Sequence, residues 1–168
     1  SFNFTGLQQI TQAFIEPGAS VNQLAVSDPA NPGVGILVHA FSDTDVSGLA
    51  GAFSLDLAAG LGAGLDVAAI AKQTEAGAGG ALNTNRNLEV LTRSRDELQS
   101  ISTTLELAAA ATLGGAIALY SLASTTRAAI ASGAVVRARG NVLVSSDSDS
   151  EFDLVTGALS ASIAATGG

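Results

Sequence analysis

A chain of 168 residues has the length of one domain, but its apolar content is unusual: 47% hydrophobic, only 4% aromatic, with no Trp, Met or Cys. The absence of Cys excludes disulfide staples and cysteine-based zinc sites, and a formal charge of −8 argues against a nucleic-acid partner, which needs a basic patch. Ala and 19 Gly supply much of the remainder, and such small side chains suit layers that approach closely.

The N-terminus carries neither an initiator Met nor a signal peptide with a basic start and apolar centre, so the chain reads as a processed product or a segment of something longer. "SFNFTGLQQIT" is strand-like. A segment holding Pro29 and Pro32 follows, around "LAVSDPANPGV", and its composition predicts an exposed loop. Beyond it the chain repeats. "GILVHAFSDTDVSGLAG" begins at Gly35, "NLEVLTRSRDELQSIST" at Asn87 and "NVLVSSDSDSEFDLVTG" at Asn141, spaced about 52 and then about 54 residues apart. Val38, Val90 and Val144 coincide in this frame, as do Val46, Leu98 and Phe152, and Phe53, Leu105 and Leu159. Thr11, Thr74 and Thr126 mark a second common phase. The units run approximately 11–72, 73–124 and 125–168, with 1–10 completing the phase missing at the C-terminus.

Inside a unit the period is two. "FSLDL" (Phe53 to Leu57) sets Phe and Leu on one face and Ser and Asp on the other, and "LSASI" and "VVRAR" repeat the pattern, the mark of half-buried strands. The Ala-rich tract "LAAAATLGGAIAL" looks helical by propensity, yet its counterpart is "LAAGLGAGLDV", and each interior glycine costs a helix about 1 kcal/mol. "LELAAAATLGGAIALYSLA" (Leu105 to Ala123) has the length of a membrane span, but Glu106 and the Asp56 and Asp66 of its counterpart count against one. The expected fold is all-β: one β-solenoid over 1–168, built from about three degenerate units stacked in register. The alternative is an antiparallel meander or sandwich, with Gly114-Gly115 closing a hairpin.

"SLASTTRAAIASGAVVRARGNVLVSSDSDSEFDLVTGALSASIAATGG" resembles the degenerate repeats of large bacterial secreted adhesins, the filamentous-haemagglutinin-like and leukotoxin-type exoproteins and related autotransporter passengers. Thr125, Thr126, Ala128 and Ile130 fill the polar phase of those repeats. Gly133, Ala134, Val136, Ala138, Gly140, Val142 and Val144 fill the alternating phase. The match is close in the last third, partial in the middle and weak in the first. The resemblance implies a right-handed parallel β-helix, secretion to the bacterial cell surface, and a role in adhesion or biofilm matrix.

Residues that could carry chemistry are few. His39, the lone histidine, stands in the strand-like "ILVHAFS" and reads as a packing or surface residue. No nucleophile–His–acid spacing is present, so no enzyme is expected. "GLGAGLD" at Gly60 lacks the Lys of a phosphate loop and reads as a turn. In an extended strand Asp147, Asp149, Glu151 and Asp153 project on one face and could offer oxygens to calcium, the one cofactor considered. Against that stands a charge ladder: Asp149 falls opposite Arg95, which falls opposite Asp43, and Asp147 falls opposite Arg93. The next column, Asp45, Glu97 and Glu151, is uniformly acidic.

The ends fit each other. "SFNFTGLQQIT" aligns with "GLDVAAIAKQT" and "AIALYSLASTT", so Phe2, Phe4 and Leu7 mark a strand able to complete the last unit of another subunit. The expected partners are therefore a second copy, added head-to-tail into a filament, or neighbouring repeats of a longer chain. Cell-surface glycans are a further possible partner, and a carbohydrate-binding or polysaccharide-degrading β-helix is the alternative function.

Overall fold

The computed structural model describes residues 1–21, 35–56, 59–109 and 111–162. The proline-bearing segment and the C-terminal "IAATGG" lie outside them. Nine strands follow one another among the described residues: β1 (Phe2–Ile15), β2 (Ser20–Val21), β3 (Ile36–Asp56), β4 (Ala59–Ala78), β5 (Ala81–Thr84), β6 (Leu88–Ala108), β7 (Ala111–Ile130), β8 (Val135–Ala138) and β9 (Val142–Ser162). They form three parallel sheets, ordered β1-β4-β7, β2-β5-β8 and β3-β6-β9. Each rung takes one strand from each sheet, so the molecule is a parallel β-solenoid of about three rungs.

This pairing removes the antiparallel alternative. Gly114 and Gly115 sit within β7, opposite Gly62 and Ala63 of β4, and close no hairpin; the glycines of "GLGAGLD" are likewise strand residues, not a turn. The stretch Leu105 to Ala123 divides between β6 and β7, and no described helix is long and apolar enough to cross a membrane. The unit bounds of the repeat frame drawn from sequence fall within β4 and β7.

The short third sheet closes one end of the coil. There Ile36, Val38, Ala40, Ala76, Ala78, Leu82, Leu88 and Val90 form the buried core, with Ile15, Val21, Ile130 and Val136 packed against it. The chain reaches this sheet through one corner in each rung, where Gly18, Gly80 and Gly133 have φ of 88°, 78° and 79°. A side chain disfavours that conformation, and glycine adopts it freely.

At the opposite end the hydrophobic pattern inverts. The core fixes even-numbered residues of β3 as inward, and β3 continues from Ile36 to Asp56 as one strand. Because its side chains alternate with period two, the apolar residues beyond Val46, now odd-numbered, face outward. Phe53 is 66% exposed and Leu55 73%. Phe53 and Leu55 of "FSLDL" thus lie on the solvent face, contrary to the burial their alternation suggests, while Leu57 lies outside the described residues. Leu61, Leu113 and Ile117 do the same on the opposing sheet. The interior here is polar, with Ser100, Ser102, Thr104 and Glu106 buried. Facing them are Gly60, Gly62, Gly64 and Gly114, and a Cβ on Gly62 would overlap Glu106 Oε1. Small residues do let the two layers close up.

Candidate functional site: the charge ladder and the open edges

Side-chain chemistry concentrates in the outer face of the β3-β6-β9 sheet and in a chain of polar residues inside the coil. The register places Asp43, Arg95 and Asp149 at one level, and Arg93 opposite Asp147 at another. Arg93 Nε lies 3.8 Å from Asp147 Oδ2, both side chains more than half exposed. Arg95 stands between its two acids, but its ion pair goes to Glu97 Oε2, 3.6 Å away on the same strand. That choice has a physical cause. Glu97 lies between Asp45 and Glu151, so the all-acid column borrows the neighbouring guanidinium.

Asp147, Asp149, Glu151 and Asp153 alternate along the outer face of β9, as strand geometry requires. Among the described residues, no group of three or more His, Asp or Glu side chains could hold a metal ion. His39 also points outward, its ring centroid 6.4 Å from that of Phe41 and tilted by 48°. Phe2 and Phe4 are exposed on the outer face of β1, level with Leu65 and Val67. Leu7 turns inward in a column with Ile70 and Leu122.

The interior holds ionisable residues that the sequence does not mark as inward. Lys72 Nζ meets Asp96 Oδ1 at 2.6 Å, with neither side chain exposed, and also donates to the Arg95 carbonyl at 3.0 Å. One rung away the equivalent contact is neutral, Thr44 Oγ1 donating to Gln9 Oε1 at 2.8 Å. Nearer the inverted end, Asp66 accepts from Asn3 Nδ2 at 2.8 Å, from Tyr120 Oη at 2.9 Å and from Ser100 Oγ. These three donors come from β1, β7 and β6, so one carboxylate ties four strands together. Burial pushes the Tyr120 phenol above its ordinary value; the Ser100 hydroxyl pulls it down, and the Asp66 hydrogen bond and charge raise it again. Asp66, Lys72, Asp96 and Glu106 all occupy inward phases of their strands. The signal was the period itself, hidden because an inward face was expected to be apolar.

The largest unsatisfied feature is the pair of edges. β1, β2 and β3 bound one side of the three sheets, and β7, β8 and β9 the other. All residues of β9 are exposed, including Phe152 and Leu154, which stand at the inward levels of Leu98 and Ser100. Comparison with known proteins found no matching family model, no matching curated protein and no matching solved structure.

Proposed function

We propose that this chain is a structural element, a block of solenoid rungs that continues end-on through its open edges onto further rungs. In the setting implied by the resemblance of its last third, the block belongs to the stalk or filament of a secreted bacterial adhesin or matrix protein. One observation carries the reading: among the described residues, all three sheets end in parallel strands with no partner beyond them, at the same two faces. Edges of this kind display a row of unpaired backbone groups that template further strands, and solenoids otherwise need capping units with polar outer faces. Inside the coil, columns such as Ser42, Ser94 and Ser148 present the same residue to the next rung.

At about 1 M salt, where exposed charges are screened within a few ångströms, the concentrated chain stacks end-on. Each copy adds about 14 Å, three strands at ~4.8 Å. Electron microscopy and sedimentation velocity read this directly. A chain that stays monomeric at every concentration and salt would sink the proposal.

A further inference from the structure

The edges are not neutral, and their charges select what can sit on them. Within the chain the outer face of the long sheet runs acid, base, acid: Asp43 on β3, Arg95 on β6, Asp149 on β9. Both strands at the ends of the sheet are therefore the acidic ones. A second copy continuing the same register would set its β3 against β9, placing its Asp43 beside Asp149 and its Asp45 beside Glu151. No base would stand between them, and Arg95 is engaged by Glu97 in the middle rung. Among the described residues no cation lies within ion-pair distance of Asp43 or Asp149.

The remaining levels of the junction formed by described residues set no like charges against each other. On the inner face Val142 would meet Ile36, and Val144 would meet Val38. On the other long sheet Ile117 would meet Phe2 and Leu119 would meet Phe4, while Arg127 would meet Gln12. Discrimination thus rests on two outward levels of a single sheet. Like charges opposed across a strand pair destabilise it, and opposite charges stabilise it by a similar amount.

We infer that the rung which docks on this block is not a second copy of the chain but a basic solenoid rung, with Arg or Lys on its outer face level with Asp149 and Glu151 at one edge, or with Asp43 and Asp45 at the other. This rests on the end-on stacking proposed above and names the partner that stacking takes. The internal pattern is the precedent: β6, the strand that β3 and β9 both accept, carries Arg93 and Arg95 where they carry Phe41, Asp43, Asp147 and Asp149, and its Glu97, set between Asp45 and Glu151, is met by Arg95.

The test uses a charge-exchanged chain, Asp43→Arg and Asp45→Arg with Arg95→Asp, Asp149→Arg and Glu151→Arg, which alternates charge inside the block at both levels and makes both levels basic at each edge. At about 10 mM salt, where exposed charges act over roughly 30 Å, an equimolar mixture with the unaltered chain should co-sediment at a total concentration roughly tenfold or more below that needed by either chain alone. The advantage should disappear at about 1 M salt. A second pair of variants guards against misfolding of the exchanged chain. Asp43→Asn with Asp45→Asn should lower the self-stacking threshold at low salt, while Glu75→Gln with Glu89→Gln, an equal change in net charge on the middle rung, should not. Unaltered chains stacking at low salt as readily as the mixture would overturn the inference and leave end-on stacking intact, as would equal effects of the two neutralised pairs. No stacking in any arm, at any salt, overturns the stacking itself and the inference with it.

Discussion

Lys72 and Asp96 form an ion pair 2.6 Å long inside the coil, from opposing sheets, with no exposed side-chain surface on either. Above and below them in the stack stand neutral residues, Gln9 and Ser124 on one side and Thr44 and Ser150 on the other. Removing one member leaves a buried charge without its counterion, so Lys72→Ala should cost about 3–5 kcal/mol. Replacing both with apolar residues of similar size, Lys72→Met with Asp96→Leu, should restore stability or raise it above the starting value. Urea unfolding of the two variants decides this; equal losses in both would show that the pair does not act as a unit.

Glu106 is fully buried, and neither of its carboxylate oxygens meets a hydrogen-bond partner among the described residues. It occupies the space that Cβ atoms on Gly62 and Gly114 would take. Gly62→Ala should therefore destabilise the fold by about 1–3 kcal/mol, the usual cost of overpacking. The same change in a Glu106→Ala background should cost much less, since the clashing carboxylate is gone. Equal costs in the two backgrounds, measured by thermal unfolding, would mean that Gly62 is needed for another reason.

Tyr120 supplies a pH signature. Burial and Asp66 hold its phenol above the ordinary tyrosine value of about 10. A group whose folded value is raised stabilises fully below its unfolded value, and that contribution is lost as pH rises through the folded one. Stability should accordingly decline above about pH 10. Tyr120 is the only tyrosine and Trp is absent, so a phenolate absorbance titration reads this group alone. Asp66→Asn removes a raising influence and leaves burial in place, so the titration should move downward while staying above the ordinary range; no movement would separate Asp66 from the shift.

Arg95 separates the two acids at its level, Asp43 and Asp149, and pairs with Glu97. Arg95→Asp would create an unbroken acidic column from Asp43 to Asp149 and release Glu97 from its only ion pair among the described residues. Exposed pairs contribute at most about 1 kcal/mol each, so the melting temperature should fall by a few degrees at low salt and recover at about 1 M salt. A loss that salt does not relieve would point to packing of the arginine stem instead.

Much of this architecture is visible in the residues themselves. Val38, Val90 and Val144 stand at one level, as do Thr11, Thr74 and Thr126, because a stacked coil makes equal spacing into spatial adjacency. The ladder of Asp43, Arg95 and Asp149 was legible for the same reason. Which face is inward was not legible near Phe53 and Leu105. Alternation marks two faces without saying which is buried, and the phase is set far off by Ile36, Val38, Leu88 and Val90. Asp66 and Lys72 went unnoticed as interior groups because their counterparts elsewhere in the stack are neutral. The identity of Arg95's partner also needed coordinates, since register fixes levels but not which neighbour a long side chain reaches.

End-on continuation of the coil is the central claim, and one cross-link tests it directly. Ser47 of β3 and Asp153 of β9 share an outward level, separated inside the block by Gln99. In a stack of two copies, Asp153 of one would lie beside Ser47 of the next, about 4.8 Å away, within the Cα separation a disulfide accepts. The chain has no native Cys, so a chain carrying Asp153→Cys and another carrying Ser47→Cys can be mixed under mild oxidation at about 1 M salt, where edge charges are screened. The account predicts mixed disulfide dimers joining residue 153 to residue 47, and little bonding when Gly51→Cys replaces the Ser47 variant. Absence of the mixed dimer, or equal yield from the displaced position 51, would contradict in-register stacking.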